Sequence, residues 1–173
     1  MEVTPSLAVT RLEKLSPGDL FIYGHEHGLS VAMVALHPLD DDKYVLPLGP
    51  IFPPNIPSPT AYLPRGRISA LSFGAQYRLR LPTSADGWSS IEPKLGDYCL
   101  LVAEEGVFVR ANFAPPGREF HPCYVGMKDG RIFATTGGSR PQLDKPTGEF
   151  VYALRWEIFT TEKQPRIILS YPF

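Results

Sequence analysis

Cysteine is scarce, long apolar runs are missing, and neither sign of charge prevails. Only Cys99 and Cys123 are present in 173 residues, and they form no Cys-x-x-Cys pair. That excludes the disulfide framework of a small secreted domain and predicts two reduced thiols. No apolar stretch approaches the roughly 18 residues of a membrane-crossing helix. The first residues, Met1 to Leu7, lack a basic segment followed by an apolar run, so no signal peptide and a cytoplasmic address are expected. Lys and Arg number 17 against 18 Asp and Glu, for a net charge of -1. Duplex nucleic acid and anionic membranes are therefore disfavoured as bulk electrostatic partners.

Proline and glycine are abundant instead, at 19 and 15 residues. They leave few windows for a helix, because proline removes a donor and clashes within a helix interior. Runs rich in Val, Ile, Leu, Tyr and Phe predict short strands at 19–23, 29–36, 43–48, 68–72, 76–81, 98–103, 106–113, 123–127, 131–135, 149–160 and 165–171. One short helix is expected over 6–15. Asp129-Gly130 between two apolar runs predicts a hairpin with a type I′ turn, and Glu104-Glu105-Gly106 predicts another hairpin.

The chain also reads as an ordered series of internal matches. Gly18-Asp19 lies over Gly96-Asp97, Val31 to Leu36 near Val107 to Asn112, His37-Pro38 over His121-Pro122, and Ile68 to Leu71 over Val151 to Leu154. The fold class expected is all-β, with two tandem small SH3-like barrel-type units packed as one compact body and little helix. The boundaries are an N-terminal arm 1–11, a first unit 12–83, a linker 84–92 and a second unit 93–173. Asp19 and Asp97 are expected to accept backbone N–H bonds in the turns that open the two units. The apolar C-terminal residues 167–173 should dock beside the strand near 150–159, or on the same edge of a second copy.

Two polar groupings are candidate sites. His25 and His27, two apart, point the same way on a strand, and His121 and Cys123 are possible further metal ligands. The plainer reading of His25-Glu26-His27 is a polar hairpin tip between Gly24 and Gly28. Arg65, Arg67, Arg78 and Arg80 fall in a stretch without Asp or Glu, and Arg78 and Arg80 alternate with Tyr77, Leu79 and Leu81. Such a face suits single-stranded nucleic acid, and otherwise reads as a solvated surface. No Gly-x-Ser-x-Gly elbow or protease cysteine context is present. The reading is a binding or interaction module without catalytic activity and without a cofactor. Its partner would be another protein or a second copy, with no membrane association. The alternatives are a metal-dependent or hydrolytic enzyme centred on His25, His27 and His121, and a single-stranded nucleic-acid binder using the arginine face.

Overall fold

A computed structural model describes residues 8–25, 28–37, 41–49, 59–65, 67–74, 77–81, 87–91, 99–114, 120–134, 146–152, 154–158 and 167–171. The chain is all-β. Its strands are β1 (Ala8–Arg11), β2 (Leu20–His25), β3 (Gly28–Leu36), β4 (Lys43–Gly49), β5 (Thr60–Tyr62), β6 (Ser69–Gly74) and β7 (Tyr77–Arg80). They continue as β8 (Trp88–Ser89), β9 (Cys99–Ala103), β10 (Gly106–Ala114), β11 (His121–Gly126), β12 (Ile132–Ala134), β13 (Gly148–Val151), β14 (Leu154–Ile158) and β15 (Ile167–Tyr171). No helix among the described residues is long and apolar enough to cross a membrane.

The helix expected over 6–15 is corrected. Ala8–Arg11 is a strand on β6, and only Leu12–Lys14 form a turn of 3-10 helix. Val9 and Thr10 are β-branched, and a ladder partner satisfies their backbone where an isolated short helix would be marginal. The ammonium of Lys43 donates to the carbonyls of Glu13 and Leu15 at 2.7 and 2.6 Å, which supplies the donors that the end of this short turn lacks. Part of the expected arm therefore belongs to the sheet.

Strand pairing follows one order twice. The earlier strands run β1-β6-β2-β3-β4-β5, and the later ones run β8-β13-β9-β10-β11-β12. In each set four strands meander, and the next strand returns to pair with the first of them. Ladders fix the correspondence: His25 lies opposite Gly28 at the β2–β3 end, and Ala103 opposite Gly106 at the β9–β10 end. Aligned on those glycines, Val31 falls on Val109, two residues from its match in the sequence overlay.

The two sets are joined in one 12-stranded sheet, because β10 is longer than its neighbours. Gly106 to Arg110 pair with β9, while Asn112 to Ala114 pair in parallel with β5 along the same edge. A second sheet has the order β15-β14-β7, so the strands that follow β6 and β13 pair with each other. The C-terminal strand docks within the chain, with Leu154 opposite Tyr171 and Ile158 opposite Ile167.

The main core draws on both sets. Leu20, Met33, Tyr44, Leu46 and Leu48 cluster with Leu100, Val109, Phe113, Val125 and Ile132. Each fully buried side chain of this size contributes about 1.5–3 kcal/mol relative to exposure. Phe113 is a junction: the His37 ring stacks on it at 4.8 Å and Tyr44 meets it edge-on at 4.9 Å. Smaller apolar clusters lie on the other faces, around Phe21, Ala32 and Val34 in the earlier set and around Leu101, Phe108 and Tyr124 in the later one.

Backbone also locks the sets together. The Leu36 amide donates across to the Gly130 carbonyl at 2.8 Å, beside the Gly18 amide, which donates to the Val34 carbonyl within the earlier set at 2.8 Å. Gly18 and Gly130 have φ of +89 and +65, and a Cβ on Gly130 would collide with the Val34 carbonyl oxygen and the Gly18 nitrogen. Only glycine meets both demands. The hairpin at Asp129-Gly130 forms, but its turn is not type I′, since Asp129 does not adopt positive φ. Instead the Gly130 amide reaches the Gly126 carbonyl at 2.8 Å, and the Asp129 carboxylate accepts the Arg131 amide at 3.0 Å.

Candidate functional site

Arg65 and Arg67 are exposed between β5 and β6 in the large sheet, whereas Arg78 and Arg80 lie on β7 in the other. In the β7–β14 ladder Arg78 stands opposite Glu157 and Arg80 opposite Arg155.

His25 ends β2 opposite Gly28, and His27 lies outside the described residues. His121 opens β11 opposite Phe113 and is half-buried. Cys123 is fully buried, opposite Ala111 and Ala134. Among the described residues no group of three or more His, Cys, Asp or Glu could hold a metal ion. Burial pushes the Cys123 thiol far above its ordinary range, and the nearby Arg110 guanidinium only partly opposes this. That is an inert thiol. Asp19 plays the part expected of it, accepting the Ser16 amide at 2.9 Å, and Asp97 lies outside the described residues.

A different pair of residues stands out on β10. Arg110 is 3% exposed and Asn112 0%. Two apart on a strand, they share one face with Phe108. Their cross-strand neighbours are Cys99 and Tyr124 for Arg110, and Thr60 and Pro122 for Asn112. Cys99, Phe108, Tyr124 and Phe150 are buried members of the apolar cluster on that face, with Phe133 packed against it. Within this setting the Nε and Nη1 atoms of Arg110 and both Oδ1 and Nδ2 of Asn112 have no hydrogen-bond partner.

Such an arrangement is costly. A guanidinium stays protonated in any protein environment, and a buried charge with no ion-pair partner among the described residues costs several kcal/mol. Each unpaired buried amide atom adds about 1–3 kcal/mol.

The earlier strands show that the architecture does not require it. Four and six residues on from the aligned glycines Gly28 and Gly106 come Ala32 and Val34 on β3, and Arg110 and Asn112 on β10. Phe21 pairs with Ala32 where Cys99 pairs with Arg110. Ala32 and Val34 are both 0% exposed, in an apolar cluster closed over by Leu12 and Leu15. The same face is therefore sealed in one set and carries unpaired polar groups in the other. Alternation in the sequence does not reveal this, because Phe108, Arg110 and Asn112 read equally well as a wet strand face. Comparison of β3 with β10 in the ladder register does.

No protein family, curated protein or solved structure matches this chain.

Proposed function

We propose that the chain is a non-catalytic binding module in which a small anionic group occupies the buried face around Arg110 and Asn112. The observation that carries this reading is the 3% exposed Arg110 guanidinium, whose Nε and Nη1 lack a hydrogen-bond partner, placed where the matching strand has Ala32. A bound anion removes the uncompensated charge, so binding energy offsets the cost of burying the cation.

In this reading the molecule is two tandem SH3-like barrel-type units, 12–83 and 93–173, joined through 84–92, and the second unit is the one that binds. The recurring order of a four-strand meander closed by a returning strand supports that description. Division of labour also fits, with one apolar unit lending stability and its counterpart accepting the polar pair.

Thermal melting of the full chain with the low-mass fraction of a cell extract tests the function. The parent protein is expected to melt at a higher temperature in that fraction, and Arg110→Met at an unchanged one. Met is tolerated on this face on the precedent of Ala32 and Val34. An equal response of the two proteins, or no response of the parent, overturns the reading.

A further inference from the structure

We propose that β5 is a releasable strap: it leaves β10 in a minor open state of the folded chain, and the opening gives Arg110 and Asn112 the solvent that the closed fold withholds. Water alone is enough to solvate the pair, so the opening stands apart from the anion reading above. It also supplies the route from solvent that a guanidinium 3% exposed lacks in the closed fold.

The strap is lightly held. Thr60 to Tyr62 are bracketed by Pro59 and Pro64, which carry no N–H, so the ladder has little room to lengthen. Against β4, β5 registers a single pair among the described residues, Tyr62 with Val45. β12, which takes the same place in the later set, registers three with β11. β5 relies instead on β10, through three parallel pairs and the 2.8 Å bond from the Asn112 amide to the Pro59 carbonyl. Ala61 is the one apolar side chain of β5 committed fully to the main core, while Tyr62 is only partly buried against the smaller cluster of the earlier set. The Tyr62 hydroxyl donates to that of Tyr23 at 3.3 Å and latches the strand to β2.

The force that favours opening lies on the other side of the joint. Asn112 stands opposite Thr60 in the parallel ladder, and Arg110 is two residues back on the same strand face. With β5 docked, Nε and Nη1 of Arg110 and Oδ1 and Nδ2 of Asn112 have no hydrogen-bond partner. Undocking uncovers the flank of β10 from Asn112 to Ala114, and water then reaches these atoms. Their solvation offsets part of the contact that β5 gives up, so the open state lies well below global unfolding in free energy. The earlier set has no such force, because Ala32 and Val34 carry no polar side-chain atom to solvate.

Amide hydrogen exchange of the full chain, resolved by residue with NMR and repeated at guanidinium concentrations below the unfolding transition, tests the strap. The Asn112 amide is expected to exchange about tenfold or more faster than the slowest amides of the β9–β10 ladder, with a much smaller dependence on denaturant. Arg110→Met, which keeps the face apolar on the precedent of Ala32, should slow the Asn112 amide about tenfold or more, because the open state then solvates no buried cation. Tyr62→Phe removes the latch without touching the polar pair and should quicken the Asn112 amide. An Asn112 amide that exchanges at the rate and denaturant slope of the slowest amides in the parent chain would show that β5 leaves only on global unfolding, and the proposal falls on that measurement alone. It falls as well if Arg110→Met slows the slowest amides while Asn112 keeps its rate, since the opening would then not reach the pair.

Discussion

Tyr23 and Tyr62 meet hydroxyl to hydroxyl at 3.3 Å, and burial drives the Tyr23 phenol far above its ordinary value of 10.0. Tyr62 is raised too, again chiefly by burial. For an acid whose folded value is raised, the unfolded chain releases its proton first, so stability is complete below the unfolded value and falls as pH rises beyond it. Denaturant midpoints measured between about pH 9 and pH 11 should therefore decline, and Tyr23→Phe should flatten that decline. An identical slope in the variant would remove Tyr23 from the account. Neither this pair nor Arg110 and Asn112 is legible from the residues alone. A tyrosine in a strand does not announce a partner 39 positions away, and alternation does not say which face of a strand is covered. Asp19 was readable because its partner, Ser16, is local.

Elements are more legible than residues, since composition acts locally. Proline and glycine spacing marks most of the strands, and the long strand expected over 149–160 is found as β13 and β14, interrupted after Val151. What escapes is short pairing such as β1, β5 and β8, whose two to four residues carry little pattern and are stabilised by the ladder they join. β15 is the element with the clearest test. Five residue pairs tie it to β14. Net backbone hydrogen bonds contribute about 0.5–1.5 kcal/mol each, and one kcal/mol moves the melting temperature of a chain this size by about 2–4 °C. Deleting residues 167–173 should lower melting by about 5 °C or more, read by circular dichroism. A truncated chain with an unaltered melting curve would show that the ladder contributes nothing net.

Across the whole molecule, the all-β character follows from composition, while the meeting of distant strands does not. β5 beside β10 and β7 beside β14 bring together segments far apart in sequence, and no local signal specifies them. The main core is shared and the Gly18–Gly130 interlock ties the sets together, so each set keeps only a smaller apolar cluster of its own. Scanning calorimetry should accordingly give one transition, with calorimetric and van't Hoff enthalpies equal. Two resolved peaks would mean that the sets unfold independently. The parallel pairing of Thr60 to Tyr62 with Asn112 to Ala114 has a kinetic consequence as well. Hairpins such as β9–β10 and β10–β11 close over a few residues, whereas β5 must find an edge that exists only after β10 has settled, at a larger entropic cost of loop closure. That contact then belongs to the late side of the folding barrier. Ala61→Gly, at a fully buried position of β5, should steepen the rate of unfolding in stopped-flow measurements and leave the refolding arm of the chevron where it is.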